Sequence, residues 1–97
     1  MKRQAPQSIA DVLRTLLEET SLQNRMNELK AASMWRHVVG DGIATQCSVP
    51  SVNDGVMRVG VPNASLRNEL LMNRSRLRQI INSKVGKDTI KEIKFTS

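Results

Sequence analysis

The 97 residues of this chain suffice for one small domain with a single hydrophobic core. Apolar residues make up 39% and charged residues 25%, which is ordinary for a folded protein. No apolar run approaches the roughly 20 residues that span a bilayer, and Met1 to Pro6 precede an amphipathic helix rather than a signal core, so we expect a cytoplasmic protein. Cys47 and His37 are the only residues of their types, so we predict no disulfide, metal or cofactor.

The net charge of +6 is concentrated in one third of the chain. Outside the window from Val56 to Lys87, basic and acidic residues are equal in number. A concentrated cationic face attracts polyanions, so nucleic acid is the first partner to consider. Trp35 and Phe95 are the only aromatic residues, which favours phosphate contacts over base stacking. Within the window, Glu69 is the single acid beside Arg58, Arg67, Arg74, Arg76, Arg78, Lys84 and Lys87.

The predicted elements begin with a flexible basic arm over residues 1–7. Ser8 is a predicted N-cap, and apolar residues from Ile9 to Leu17 follow the spacing of an amphipathic helix that ends near Thr20. We expect its apolar face to complete the core, and docking on a partner protein is the alternative. A second helix begins at Ser21 and stops at Gly40. Its predicted buried side comprises Leu22, Met26, Leu29, Ala32, Trp35 and Val39.

The next segment predicts a β-hairpin after one further helical turn at residues 43–45. Cys47 to Val52 is the first strand, with Pro50 at an edge position or a bulge. Asn53-Asp54-Gly55 is the turn, because Asp-Gly supplies the positive φ values that a tight hairpin needs. The return strand runs from Val56 to Val61, and it alternates between a core face and a face that carries Arg58.

A long helix over residues 64–85 and a last short strand complete the predicted order. Gly86 ends the helix, and Ile90, Ile93 and Phe95 mark the strand. The predicted fold class is α+β, with a small three-stranded sheet packed on one side by helices in the order α-α-β-β-α-β. We expect one domain over residues 8–97.

The basic residues of the long helix are the candidate nucleic-acid contacts. Arg67, Arg74 and Arg78 fall within about 40° of one another on a helical wheel. None of them has an acid three or four residues away, so no ion pair within the helix explains them. A solvated surface that complements the helix dipole is the alternative. The predicted nucleic-acid-binding residues are Arg58, Arg67, Arg74, Arg78, Lys84 and Lys87, supported by Lys2 and Arg3.

Catalytic chemistry finds little support in the sequence. A nucleophile and base would have to be Cys47 or a serine with His37, and no segment has the pattern of an activated-nucleophile turn. The glycines are scattered as turn residues, so a phosphate-binding loop is not predicted. We therefore expect a protein that is not an enzyme and has no small-molecule substrate.

Several segments in a fixed order resemble a known family. They begin with Trp35 to Gly40 and Ile43-Ala44. They continue with Gly55 to Val61, Ala64 to Leu70, Ile81-Asn82, Gly86, Ile90 and Ile93-Lys94-Phe95. Together they resemble the DciA family of bacterial replication proteins over about Ile9 to Phe95. The resemblance implies a KH-like fold, and it implies a role in loading or operating the replicative helicase through contacts with helicase and DNA. Its structural motif includes Trp35, Val39 and Gly40.

Two differences from the family pattern refine this expectation. KH domains grip single strands with a Gly-x-x-Gly loop between helices, and this sequence has no such loop, so we assign DNA contact to the basic helix. Many members carry a flexible extension beyond this domain, whereas this chain has almost none and is expected to be a domain-only member. The predicted function is a nucleoid-associated accessory protein that binds single- or double-stranded DNA. The alternatives are an adaptor with little nucleic-acid affinity and a KH-like RNA-binding protein.

Overall fold

The computed structural model describes residues 8–97, and the predicted basic arm at residues 1–7 lies outside them. The predicted α+β class with a small three-stranded sheet is confirmed, whereas the KH-like name stays a prediction. The elements in chain order are α1 (Ile9–Val39), α2 (Asp41–Ala44), β1 (Ser51–Asn53), β2 (Val56–Gly60), α3 (Ala64–Met72), α4 (Arg74–Val85) and β3 (Glu92–Thr96).

Helix α1 is one continuous helix of 31 residues, so the predicted break near Thr20 is wrong. The hydroxyl of Thr20 donates to the Leu16 carbonyl at 2.8 Å and bonds the preceding turn instead of ending the helix. Neither glycine nor proline occurs between Ile9 and Val39, so the local sequence contains no strong helix breaker. The predicted ends are confirmed, since the Ser8 hydroxyl accepts from the Asp11 N–H and Gly40 stops the helix at φ 88°.

The sheet has the order β1-β2-β3, with β2 antiparallel to β1 and parallel to β3. The predicted turn is confirmed, because Asp54 and Gly55 have φ values of 53° and 81°. The first strand is shorter than predicted. The Cys47 N–H still bonds the Ala44 carbonyl in the turn after α2, and Pro50 has no N–H to donate to a ladder.

The core lies between one face of the sheet and the helices. Met57, Val59 and Val61 are fully buried as predicted, while Arg58 points away from the core and is exposed. Trp35 and Ile81 cover these strand residues from α1 and α4. The sheet therefore has a covered face and an open face.

The predicted long helix over residues 64–85 is wrong, because Asn73 divides it into α3 and α4. The Asn73 N–H donates to the Leu70 carbonyl at 3.1 Å, and its side-chain amide donates to the Glu69 carbonyl at 2.9 Å. These bonds satisfy the end of α3 and let the chain change direction. Arg67 and Arg74 consequently lie on different helices, and a single helical wheel does not relate them.

The apolar face at the start of α1 does not pack on the core, contrary to our expectation. The large apolar side chains from Ile9 to Leu17 are 43–79% exposed. Among the described residues, the hydrogen bonds from α1 to the sheet begin only at Arg25 and Glu28. We call residues 9–20 the projecting segment, which is about 18 Å long.

Further along α1, the predicted buried side is also partly wrong. Leu22, Met26 and Leu29 are 63%, 56% and 57% exposed, whereas Ala31 and Trp35 are buried. On a helical wheel, the three exposed residues point almost opposite to Trp35. The predicted Ala32 and Val39 are half-buried and pack against the core beside Ala31 and Trp35.

Candidate nucleic-acid interface

Helix α4 carries the basic residues that are most open to a polyanion. Arg74, Arg76 and Lys84 are exposed, and Lys87 is exposed in the loop after the helix. Among residues 8–97, the ion pairs are formed by arginines of α1, namely Arg14, Arg25 and Arg36. The positive charges along α4 are therefore not neutralised within the described part of the chain, and they extend over about 18 Å.

The structure brings Arg78 and Lys87 together along a shallow groove of about 600 Å³. Arg78 is half-buried at the wall, because it lies on the same side of α4 as the buried residue Asn82. The remaining lining is mostly polar and includes one acid, Asp88, so two positive charges face one negative charge in this groove. The other lining residues are Gln79, Asn82, Ser83 and Gly86.

Asn82 holds the end of the loop that carries Lys87. It was not among the predicted site residues. Its side-chain amide donates to the Ile90 carbonyl at 2.9 Å, and its side-chain oxygen accepts from the Ile90 N–H at 2.8 Å. Gly86 adds a left-handed turn at φ 93° and donates its N–H to the Asn82 carbonyl. The helical wheel gave no signal for this role, because Asn82 lies about 100° from Ile81 and beside the polar residues Arg78 and Gln79.

Two of the predicted contact residues, Arg67 and Arg58, lie outside the groove on α4. Arg67 is half-buried, and its guanidinium Nη1 donates to the Val61 carbonyl at 2.8 Å, which ties α3 to the end of β2. Arg58 lies on the open face of the sheet, away from α4. The six predicted residues therefore do not form one patch.

A second basic pair lies on the open face of the sheet. Arg58 is the register partner of Lys94 on β3, and both side chains are exposed. Local spacing in the sequence does not reveal this pairing, because it does not give the register of a parallel strand that returns after two helices. Arg58 and Lys94 form a site separate from the groove on α4.

An internal ion pair holds the hairpin against α1. Arg25 Nη1 lies 3.2 Å from Glu28 Oε1 and donates to the Val52 carbonyl at 2.7 Å. Glu28 Oε2 accepts from the Gly55 N–H at 2.9 Å. Arg25 and Glu28 therefore hold the hairpin in place. A polar cavity of about 710 Å³ beside them is also lined by Lys87.

The residues of the predicted structural motif belong to the core and its border. Trp35 is 2% exposed, and its ring centroid lies 6.1 Å from that of Phe95. Val39 is partly buried against the core, and Gly40 ends α1. Trp35 is thus not available as a stacking platform for a base.

The described residues give no sign of a metal or a reactive nucleophile. Residues 8–97 contain no cluster of three or more side chains that could hold a metal ion. Burial raises the pKa of the Cys47 thiol, which keeps it protonated and weakly nucleophilic. None of the helices in this part of the chain is long and apolar enough to cross a membrane.

Comparison with known proteins agrees with the sequence resemblance. The family model described as "Dna[CI] antecedent, DciA" matches residues 8–95. UPF0232 proteins of Mycobacterium tuberculosis and Mycobacterium bovis are 28% identical over 91 residues, which is 94% of this chain and 49% of theirs. The chain spans about half the length of the curated relatives it matches. Because the family model covers nearly all of its residues, this chain belongs to the DciA family, which is associated with DNA replication.

Proposed function

We propose that the chain is a non-enzymatic DNA-binding accessory protein of bacterial replication that assists the loading or operation of the replicative helicase. Membership of the DciA family supports the replication role. The observation that supports DNA contact is the set of exposed or half-exposed positive charges on α4 and in the loop after it, none of which forms an ion pair among residues 8–97. The contacts would be phosphate contacts from Arg74, Arg78, Lys84 and Lys87.

Phosphate contacts explain the composition of this surface better than base reading does. The two aromatic residues pack against each other in or beside the core, so base stacking has little to use. Arginine and lysine on a helix pair with phosphates without reading base edges, so binding should depend weakly on sequence. Arg58 and Lys94, on the open face, would reach a second segment of the same DNA only if the strand wraps around the sheet.

The proposal is tested by fluorescence anisotropy of the purified chain with single- and double-stranded DNA at rising salt. Each phosphate contact contributes about −0.7 to the salt slope on single strands, so four contacts predict about −2.8. The Arg74→Glu/Arg78→Glu variant should bind at least about tenfold more weakly, and its slope should fall to about −1.4.

Arg14→Glu/Lys30→Glu is the matched control, since it changes the net charge equally at exposed positions of α1. An equal loss of affinity in this control would contradict a specific site on α4, and absence of binding at low salt would contradict DNA contact. Single-stranded RNA of the same sequence separates the RNA-binding alternative.

A second candidate function is an adaptor that docks on a partner protein. The observation in its favour is the apolar face of the projecting segment, which is exposed where we expected it to complete the core. Amphipathic helices bind proteins by placing such a face in an apolar groove. The helicase is the partner that family membership favours, and this docking is compatible with DNA contact through α4.

A further inference from the structure

Strand β3 is an edge of the sheet, and its outer side pairs with no strand among residues 8–97. In a parallel pair, alternate residues direct both backbone groups to the neighbouring strand. The Glu92 N–H donates to the Gly55 carbonyl, and the Thr96 carbonyl accepts from the Val61 N–H, so Glu92, Lys94 and Thr96 bond towards β2. Ile93 and Phe95 therefore direct their N–H and C=O groups to the open edge.

The charges along this edge are self-complementary. Glu92 and Lys94 are both exposed on the open face of the sheet and lie two residues apart. If two copies of β3 pair antiparallel about a two-fold axis at Ile93, each Glu92 lies directly opposite the Lys94 of the second copy. Ile93 then faces Ile93 as a hydrogen-bonded pair, as its outward backbone groups require.

The charges favour this register, because an axis at Phe95 would keep the backbone pattern but place Lys94 opposite Thr96 and lose both ion pairs. Glu92 and Lys94 become non-hydrogen-bonded pairs, in which the Cα atoms are about 4.5 Å apart and side chains lie closest. Moving the axis to Lys94 keeps the backbone pattern but places Lys94 opposite Lys94, which is unfavourable. Lysines on edge strands often serve only to prevent association. In β3, Lys94 would instead pair with Glu92 of the second copy, and Glu92 would pair with Lys94 of the second copy.

A surface of α3 beside this edge can add further contact, partly apolar and partly polar. An open groove of about 460 Å³ there is lined by Ala64, Leu71 and Phe95 together with Ser65, Arg67 and Asn68. Leu71 is 41% exposed. Because α3 packs on β3, pairing of the strands would bring the two α3 helices side by side across this groove.

We propose that two copies of this chain associate through β3 into a symmetric dimer with one continuous sheet. The occupant of the edge is a second copy, because the alternation of Glu92 and Lys94 matches itself in this register. The exposed face of the projecting segment is not needed for this contact.

Sedimentation equilibrium of the whole chain without DNA tests the proposal. The unmodified chain should dimerise in a concentration-dependent way. Glu92→Lys and Lys94→Glu should each weaken self-association about tenfold or more, because two attractive pairs become repulsive. An equimolar mixture of the two variants should regain the dimer, since each lysine of one then faces a glutamate of the other.

The double variant Glu92→Lys/Lys94→Glu is the matched control, because it keeps the net charge and should dimerise like the unmodified chain. All these positions are exposed, so circular dichroism should show the same fold in each variant. A chain that stays monomeric at the highest soluble concentration would overturn the proposal. So would a dimer that ignores both single variants, or one that Leu13→Ser/Leu16→Ser abolishes, because the projecting segment would then be the contact.

Discussion

Asn82 links a buried position of α4 to the loop that carries Lys87. Its side chain is 6% exposed and uses its oxygen and its nitrogen on the two backbone groups of Ile90. Ile90 is itself fully buried, so water does not replace these bonds when the amide is removed. One amide therefore determines where a candidate phosphate contact lies.

The two hydrogen bonds of the Asn82 side chain should contribute measurably to the stability of the fold. Asn82→Ala should lower the free energy of unfolding by about 2 kcal/mol, because two buried hydrogen bonds are lost and their partners stay buried. For a domain of this size, that corresponds to a fall in Tm of roughly 8–16 °C, measurable by thermal denaturation. Ser83→Ala is the control at an exposed neighbour and should leave Tm within about 2 °C. Equal Tm values for the two variants would show that the amide contributes little.

At the level of secondary-structure elements, the C-terminal half of α1 packs on the core, whereas its first turns do not. Ala31 and Trp35 hold its C-terminal half, whereas the projecting segment has the same apolar spacing and no buried side chain among the described residues. Amphipathic periodicity predicts a helix with one apolar face, but it does not identify what that face contacts. This is why the helix was predictable and the packing of its first turns was not.

Truncating a side chain of the projecting segment should affect stability much less than truncating a buried side chain of α4. Leu13→Ala should change the free energy of unfolding by less than about 0.5 kcal/mol, since Leu13 is already half exposed. Ile81→Ala in α4 should lower it by about 2–5 kcal/mol, because Ile81 is fully buried and its truncation leaves a cavity. Urea denaturation measures both. A large loss for Leu13→Ala would place the projecting segment against the core.

The hairpin turn was predictable from the sequence, whereas the helix ends near Thr20 and Asn73 were not. Asn53-Asp54-Gly55 specified the hairpin, because the required φ values depend on those residues alone. Thr20 and Asn73 are both able to bond a carbonyl one turn back, and both do so. Helix α1 continues through Thr20 whereas α3 ends at Asn73, so this side-chain hydrogen bond does not by itself predict a helix end.

At the scale of the whole molecule, two surfaces of different chemistry lie on different helices, and they approach each other at the cavity that Ser21 and Lys87 both line. The projecting segment is apolar and net acidic, with Asp11, Glu18 and Glu19 against Arg14, while α4 is basic. Nucleic acid repels the first surface and attracts the second. A protein partner and DNA could therefore be held at the same time.

This separation predicts independent losses of binding. Leu13→Ser/Leu16→Ser should abolish capture of purified replicative helicase and leave DNA affinity within about twofold, since the charges on α4 are unchanged. Leu22→Ser/Met26→Ser is the matched control, because it removes similarly exposed apolar groups outside the projecting segment, from a different face of α1. Pull-down and anisotropy on the same preparations give both readings. Equal loss of helicase capture in the control would contradict docking through this face.

The candidate site was only partly readable from the sequence for a physical reason. Composition revealed where positive charge is concentrated, and local spacing revealed that α4 residues lack acidic neighbours. The alternation of the return strand also predicted that Arg58 faces away from the core, as observed. Spacing did not reveal that the Arg67 guanidinium donates to the Val61 carbonyl, because that contact depends on how α3 leaves the end of β2.

The single tryptophan gives the protein a built-in optical reporter of its own core. Trp35 is shielded from water beside Phe95, where α1 meets β3. Its indole emission should therefore be blue-shifted in the folded chain and move to longer wavelength when these elements separate. Ligands on the projecting segment or along α4 should leave that emission unchanged, so fluorescence can follow folding while binding is measured through a label on the partner.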